Sequence, residues 1–422
     1  MRSSGRWLIV GAAVVLIGSS LGGPTTLGAL AAPGAAIVIG PERAVATARP
    51  GNVQSDVDVA WNGNVFLAVW QEGVAGGQSQ IYGARISASG QVLDPGGILL
   101  SLSENPHGSP AVAGGNGRFM VAWEERPEGT YTDLGAAIVD SAGTVRQRWG
   151  LSRVDNGQSR PDVAWGGQLF LASWEDEPEP EDQDVYGARV LPSGLTLDGC
   201  STDACSNGDD PGIPIGLSAG TDQLTPAVAW TGTFFANVWA DQNAATPSDI
   251  RTNAVAVNGA TFSEEGFVVS DAPGSQTEPA IGRNGGTLLV AWTDTRSGNP
   301  DIRFTRLQPG TFEYAPTPLP PQGTSLFGGS GMQTQPAVAR RGSGFIVSWT
   351  DASSGTNNVV AARVGIGGAV LDATRVPVAD GPRNQRGSSI ADGGTVQLVA
   401  YQRDVPASPF DGRDRVFFRV LG

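Results

Sequence analysis

Three observations predict an all-β chain, a seven-bladed β-propeller with four antiparallel strands per blade: a phrase repeated seven times, a tryptophan returning once per copy, and abundant glycine and proline. The first copy reads Val57-Asp-Val-Ala-Trp61-Asn-Gly-Asn-Val-Phe-Leu-Ala-Val-Trp70, and close matches start at Pro161 and Pro226. Looser copies start at Pro110, Pro279, Pro336 and Ser388. The second tryptophan returns as Trp70, Trp123, Trp174, Trp239, Trp292 and Trp349, with Tyr401 in the seventh place. Its spacing of 51 to 65 residues is one blade long. A composition of 60 Gly and 29 Pro in 422 residues suits short strands and tight turns rather than long helices.

Within a copy, two apolar segments flank a glycine-bearing turn and predict a hairpin, the first and second strands. A third strand follows, as in Ile81-Tyr-Gly-Ala-Arg85-Ile86 and Val185-Tyr-Gly-Ala-Arg189-Val190. After another glycine turn, Gln91-Val-Leu-Asp94 and Ala369-Val-Leu-Asp372 are read as fourth strands. The seventh copy ends after its third strand, at Gly422, whereas residues 34–46 align with the fourth-strand region of the sixth copy, residues 368–379. The N-terminal strand is therefore expected to complete the last blade and close the ring, removing the exposed edges that an open array would leave. A single propeller domain over 34–422 follows.

The unit resembles the secreted β-propeller repeats of environmental bacteria, which read roughly P-A-V-A-W-x-G-x-x-F-L-V-x-W-x-D and then D-I-Y-G-A-R-V. The resemblance covers everything after the leader and implies the fold rather than a ligand. The repeat differs from WD40, because its acid stands two residues after the tryptophan, and no sialidase Asp-box occurs.

Arg2 and Arg6, the apolar run Trp7–Ile17 and the triplet Ala29-Leu-Ala31 have the order of a secretory signal, read as residues 1–31. Export to the periplasm, the medium or the cell surface is expected. The apolar run is too short to span a bilayer, and no cysteine follows it to carry a lipid anchor. Cys200 and Cys205, the only cysteines, are expected to form a local disulfide. A net charge of -14 argues against nucleic acid and anionic membranes as partners. The expected partner is a glycan, a peptide or a protein, and the chain is expected to be monomeric.

What repeats is read as structural. The tryptophans should fill the wedges between blades. Acids recur two residues after them, Glu72, Glu125, Asp176, Asp241, Asp294 and Asp351, and arginines recur in the third strand, Arg85, Arg189, Arg306, Arg363 and Arg419. The two sets are expected to pair across adjacent strands. The alternative is a ring of carboxylates seating a cation, but acids spread round a ring stand too far apart to chelate one small ion.

What varies is read as the ligand surface. Asp56, Ser109, Arg160, Thr225, Glu278, Gln335 and Gly387, placed just before the first strand of each copy, should line the channel mouth. Three irregular segments remain: the insertion Gly199–Asp210, the acidic stretch Glu175–Asp184, expected to be a solvated loop, and Pro316–Gly331, expected to be a flexible excursion. Calcium in the insertion lacks the spacing of a D-x-[DN]-x-[DN]-G loop, and no cofactor is implied.

Catalytic parts are scarce. The one histidine, His107, is read as an inter-blade loop residue facing solvent. The two G-x-S-x-G matches, at Ser20 and Ser218, lack a strand-turn-helix setting. Zinc sites of His and Cys are excluded by count. The leading reading is a binding or interaction module; the alternative is a carbohydrate-active hydrolase or lyase using a carboxylate pair at the channel mouth.

Overall fold

The computed structural model describes residues 36–73, 78–128, 131–154, 156–179, 182–199, 211–243, 246–308, 318–406 and 412–422. The signal segment, Cys200, Cys205, and Asp203, Asp209 and Asp210 of the insertion lie outside the described residues.

Seven four-stranded antiparallel sheets form the molecule. Blade 1 comprises β2 (Val53–Trp61), β3 (Phe66–Gly73), β4 (Ser79–Ile86) and β5 (Ile98–Leu99). Blade 2 comprises β6 (His107–Gly115), β7 (Arg118–Glu125), β8 (Asp133–Asp140) and β9 (Val145–Ser152). Blade 3 runs β10 (Gly157–Trp165), β11 (Phe170–Glu179), β12 (Asp182–Val190), β13 (Ile213–Gly216). Blade 4 runs β14 (Asp222–Trp230), β15 (Phe234–Asn243), β16 (Thr246–Ala256), β17 (Phe267–Ser270). Blade 5 runs β18 (Gln276–Asn284), β19 (Thr287–Asp294), β20 (Asp301–Leu307), β21 (Leu319–Phe327). Blade 6 runs β22 (Gln333–Arg341), β23 (Gly344–Asp351), β24 (Asn358–Gly365), β25 (Val376–Ala379). Blade 7 has β26 (Gln385–Asp392), β27 (Gln397–Val405) and β28 (Arg413–Leu421), and its outer strand is β1 (Arg43–Ala44).

The first strand of each blade is innermost. Successive inner strands pack on one another, and β2 packs on β26, so the ring closes. The N-terminal segment completes blade 7: Arg43 and Ala44 pair with Phe418 and Phe417, Ile39 bridges Leu421, and Gly40 N donates to Val420 O at 2.8 Å. Glu42 adds side-chain contacts, accepting from the Tyr401 hydroxyl at 2.6 Å and pairing with Arg403.

Local sequence explains the hairpins. In blade 2, Asn116 and Gly117 adopt φ 51° and 71°, the two positive values that a two-residue turn needs to match the strand twist. The six tryptophans and Tyr401 pack between blades. Trp70, for example, shares one buried cluster with Val45, Ala46, Ala400 and Phe418, and Trp174 another with Met120 and Ile138 of the preceding blade. Removing one such side chain to alanine is worth about 3–5 kcal/mol.

The fourth strands differ from expectation. They begin four residues after the Gln91–Asp94 and Ala369–Asp372 segments end, at Ile98–Leu99 and Val376–Ala379. The expected segments are turns, in which Val92 and Val370 make isolated bridges to Ile86 and Val364. Their aspartates explain this, as each folds back onto the third strand. Asp94, Asp198 and Asp372 pair with Arg85, Arg189 and Arg363 nine residues earlier and also accept the backbone N–H of the same arginine.

The acidic stretch is also more ordered than expected. Glu175 to Glu179 extend β11, Asp176 stands opposite Asp184 in β12, and residues 180 and 181 between them lie outside the described residues. Of Pro316–Gly331, residues 319–327 form the fourth strand of blade 5. Among the described residues no helix is long and apolar enough to cross a membrane.

Candidate functional site

In every blade the inner strand slips register against the second. Ser55 pairs with Gln71 and Asp58 with Val69, so Asp56 and Val57 together oppose Trp70, a β-bulge. The same slip occurs in the other six blades. The first bulge residue is in each case the variable one: Asp56, Ser109, Arg160, Thr225, Glu278, Gln335 and Gly387, all at φ between 46° and 60°. Five of the seven second bulge residues are Pro, from Pro110 to Pro336, and proline has no ladder N–H to lose at a bulge. The variable positions thus lie inside the inner strands rather than before them. Six of them, Asp56 to Gln335, line one axial cavity of about 410 Å³; Gly387 shares the conformation without forming part of the wall.

A left-handed backbone costs a non-glycine residue on the order of 1–3 kcal/mol, so six such residues need support. Side chains of neighbouring blades hold four of the seven bulge amides. Arg160 N donates to Glu124 Oε1 at 3.0 Å, Thr225 N to Glu175 Oε1 at 2.6 Å, Gln335 N to Glu278 Oε2 at 2.8 Å and Gly387 N to Thr350 Oγ1 at 3.2 Å. Glu124, Glu175 and Thr350 each follow a packing tryptophan directly, so the residue that wedges two blades also places the clamp.

The cavity is predominantly acidic. Arg160 is its one cation, tied to Glu175 at 3.2 Å. Burial raises the Asp56 carboxyl above its ordinary value, the Ser55 hydroxyl partly offsets this, and nearby Glu124 adds to the rise. Below the bulge ring stand Asp58 and Asp162, where the other copies have Ala or Ser. Each bridges to the next inner strand. Asp58 accepts from Val59 N at 2.8 Å, Val112 N at 2.7 Å and Ser389 Oγ at 2.6 Å; Asp162 accepts from Val228 N at 2.7 Å. Burial, then the charge of Asp58, pushes the Asp162 carboxyl up to about 7, and burial raises Asp58 as well. The sequence signal for this pair was an acid at an alanine position in the first and third copies alone.

The six acids after the tryptophans do not line this cavity; they are buried at the ends of the second strands. Glu72 accepts from Arg49, Asn52 and Trp70 Nε1; Asp294 accepts from Trp292 Nε1 at 2.9 Å and pairs with Arg296 at 2.6 Å. Glu125 pairs with Asn105 at 2.8 Å, Asp176 with Asn156 at 2.8 Å, Asp241 with Arg251 and Asp351 with Arg375. The repeated ion pair with the third-strand arginines does not form, because the two sets sit at opposite ends of their strands: Leu67 faces Arg85, whereas Glu72 faces Gln80. Arg306 and Arg419 reach the carbonyls of Ile366 and Gly40 instead.

A second repeated residue escaped the sequence reading. Gln54, Gln158, Gln223, Gln276, Gln333 and Gln385 occupy one inner-strand position and are fully buried. Gln276 Nε2, for instance, donates to Ala272 O and Gly274 O, tying down the loop from the previous blade. His107 replaces this glutamine in blade 2. It is buried in β6 rather than facing solvent, its ring nitrogens meet Ser103 Oγ at 3.0 Å and Ser79 O at 3.2 Å, and burial lowers its pKa. Among the described residues no group of three or more His, Cys, Asp or Glu is placed to hold a metal ion.

No family model matches the chain, and no curated protein matches it by sequence. Solved structures do resemble it. The phage phi92 endosialidase superposes with a TM-score of 0.53 at 10% identity, over 90% of this chain and 69% of that one. The β-propeller domain of the Trilobed protease from Pyrococcus furiosus gives 0.49 at 9% identity, over 87% and 95%. The Trypanosoma rangeli sialidase gives 0.46 at 8% identity, over 79% and 57%. At such identities the likeness is one of fold alone.

Proposed function

We propose that the protein is an exported binding module that takes a polar ligand, a glycan or a peptide or protein segment, into its axial cavity. The observation that carries this reading is the bulge ring: a left-handed conformation kept in every blade aims a different side chain in six of them at one cavity. A scaffold alone would be served best by glycine at all seven positions, and only blade 7 has it. The side chains offer two acids, one cation, two hydroxyls and an amide, a mixed set suited to hydroxyl and amide groups, with an acidic balance that favours cationic ones. Export rests on the N-terminal charged, apolar and small-residue order.

A second reading, hydrolysis or lysis of a carbohydrate, draws on Asp58 and Asp162, two coupled carboxyls in one cavity of which one is held neutral near pH 6. Against it, the oxygens of both are already engaged by backbone amides.

The test is a glycan array and a peptide library probed with the parent and with Asp56→Asn and Gln335→Gly, substitutions that keep the left-handed backbone. Hits that weaken at least tenfold in either variant support the axial site; hits indifferent to both refute it. A polysaccharide-degradation screen run alongside decides the second reading, since released sugar that vanishes in Asp162→Asn would replace the binding module with an enzyme.

A further inference from the structure

Blade 2 departs from the ring at one place that the axial cavity does not use. In blades 1 and 6 a planar side chain stacks on the packing tryptophan. Tyr82 stands opposite Trp70 and stacks on it, with ring centroids 6.2 Å apart and planes 21° apart, and the Arg49 guanidinium lies 4.0 Å above Tyr82. Tyr186, Arg251, Arg303 and Phe417 stand opposite Trp174, Trp239, Trp292 and Tyr401. In blade 6 that place holds Val360, and Phe327 stacks on Trp349 at 6.0 Å instead.

In blade 2 the residue opposite Trp123 is Gly135, and opposite Gly135 in the fourth strand is Gly150. The Trp123 indole edge takes the space beside Gly135 and the Arg153 side chain the space over Gly150, and next to them lies a cavity of about 200 Å³ lined by Trp123, Trp149, Glu125, Arg148 and Arg153. That is below the roughly 300–1,000 Å³ of drug-sized sites and leaves room for a single ring. Trp123 Nε1, like those of Trp174, Trp239 and Trp349, is buried with no hydrogen-bond partner, and the indole edge lies where a Gly135 Cβ would stand. Arg148 donates Nε to Leu100 O at 2.6 Å and Nη2 to Leu99 O at 2.9 Å, and it has no carboxylate partner among the described residues. Glu125, by contrast, is engaged by Asn105 at 2.8 Å and Arg153 at 3.8 Å.

We propose that this pocket binds a flat six-membered ring bearing a carboxylate, the ring on Trp123 as Tyr82 and Phe327 stack on Trp70 and Trp349, and the carboxylate on Arg148. Stacking on an indole suits either an aryl ring or a pyranose, and a bidentate guanidinium suits the carboxylate. A hydroxylated ring would in addition donate to Glu125. The site shares no lining residue with the axial cavity, so it stands whether or not the axial reading holds.

Calorimetric titration of the whole protein tests this, with sodium benzoate and sodium glucuronate as probes and benzyl alcohol and glucose as their uncharged counterparts. At least one carboxylate should bind at least tenfold more tightly than its counterpart, and the one that does distinguishes an aryl from a sugar ligand. Arg148→Gln should remove that tenfold preference. Gly150→Val should abolish binding, because the new side chain pushes Arg153 from over Gly150 into the pocket that it lines, while blade 4 accommodates Val268 at the same register position. Failure of both carboxylates to bind, equal binding of charged and uncharged probes, or unchanged binding in Gly150→Val would each overturn the proposal. Should Gly150→Val lower the melting temperature by more than a few degrees, Arg148→Gln alone decides.

Discussion

At the scale of single residues, the bulge positions carry the sharpest conflict between local preference and fold. Thr225 is the extreme case, a β-branched side chain at φ 53°, where the branched Cβ crowds the backbone. Its amide is held by Glu175 from the previous blade, which is what maintains the conformation. Asparagine tolerates that region and keeps the N–H, so Thr225→Asn should stabilise the protein by about 1 kcal/mol, read as a higher urea midpoint at unchanged slope. A lower midpoint would mean that the threonine side chain contributes more than its backbone costs. The variability of the seven positions was visible in the sequence. Their conformation was not, because five precede proline and read as ordinary entries into a strand. The aspartate of the Val-Leu-Asp turn was legible as a residue but was misassigned, since its partner arginine lies nine residues back and adjacent strands offered an equally plausible acid.

At the scale of elements, closure depends on a two-residue strand, β1, extended by the backbone bonds of Val38 and Gly40. So short an element has little ladder of its own and relies on close approach to β28. A Cβ at Gly40 would stand 2.9 Å from the Val420 carbonyl, a backbone atom that cannot swing aside. Gly40→Ala should therefore cost about 1–3 kcal/mol and appear first as loss of amide protection in β28, measured by hydrogen exchange. Uniform loss of protection across all blades would show instead that the ring opens only with global unfolding. The alignment of residues 34–46 with a fourth-strand region predicted this pairing from sequence, because the same chemistry recurs in the sixth copy.

At the scale of the whole molecule, the axial acids link stability to pH. The Asp162 carboxyl is raised from an ordinary 3.8 to about 7, so between those values the folded protein holds a proton that the unfolded chain has lost. Stability contributed by this group is therefore present at low pH and falls as pH rises through about 7, the reverse of a salt-bridged carboxylate. After discounting for partial solvent screening, Asp162→Asn should flatten the decline and be more stable than the parent at pH 8 by on the order of 1–2 kcal/mol. Urea midpoints from pH 5 to 8 check this, and parallel curves for parent and variant would remove Asp162 from the account.

The sequence by itself determined the number of blades, the strands of each hairpin, the wedge aromatics and the closure by the N-terminal segment, because a unit that repeats must solve the same packing problem with the same residues. Only the tertiary structure decided which acids meet which arginines, that the variable residues sit on bulges round one cavity, and that two aspartates and a glycine-lined pocket break the symmetry. Those features depend on contacts between strands and blades far apart in the chain, and the side-chain pattern along any one strand carries no record of what the neighbouring strand or blade places opposite it.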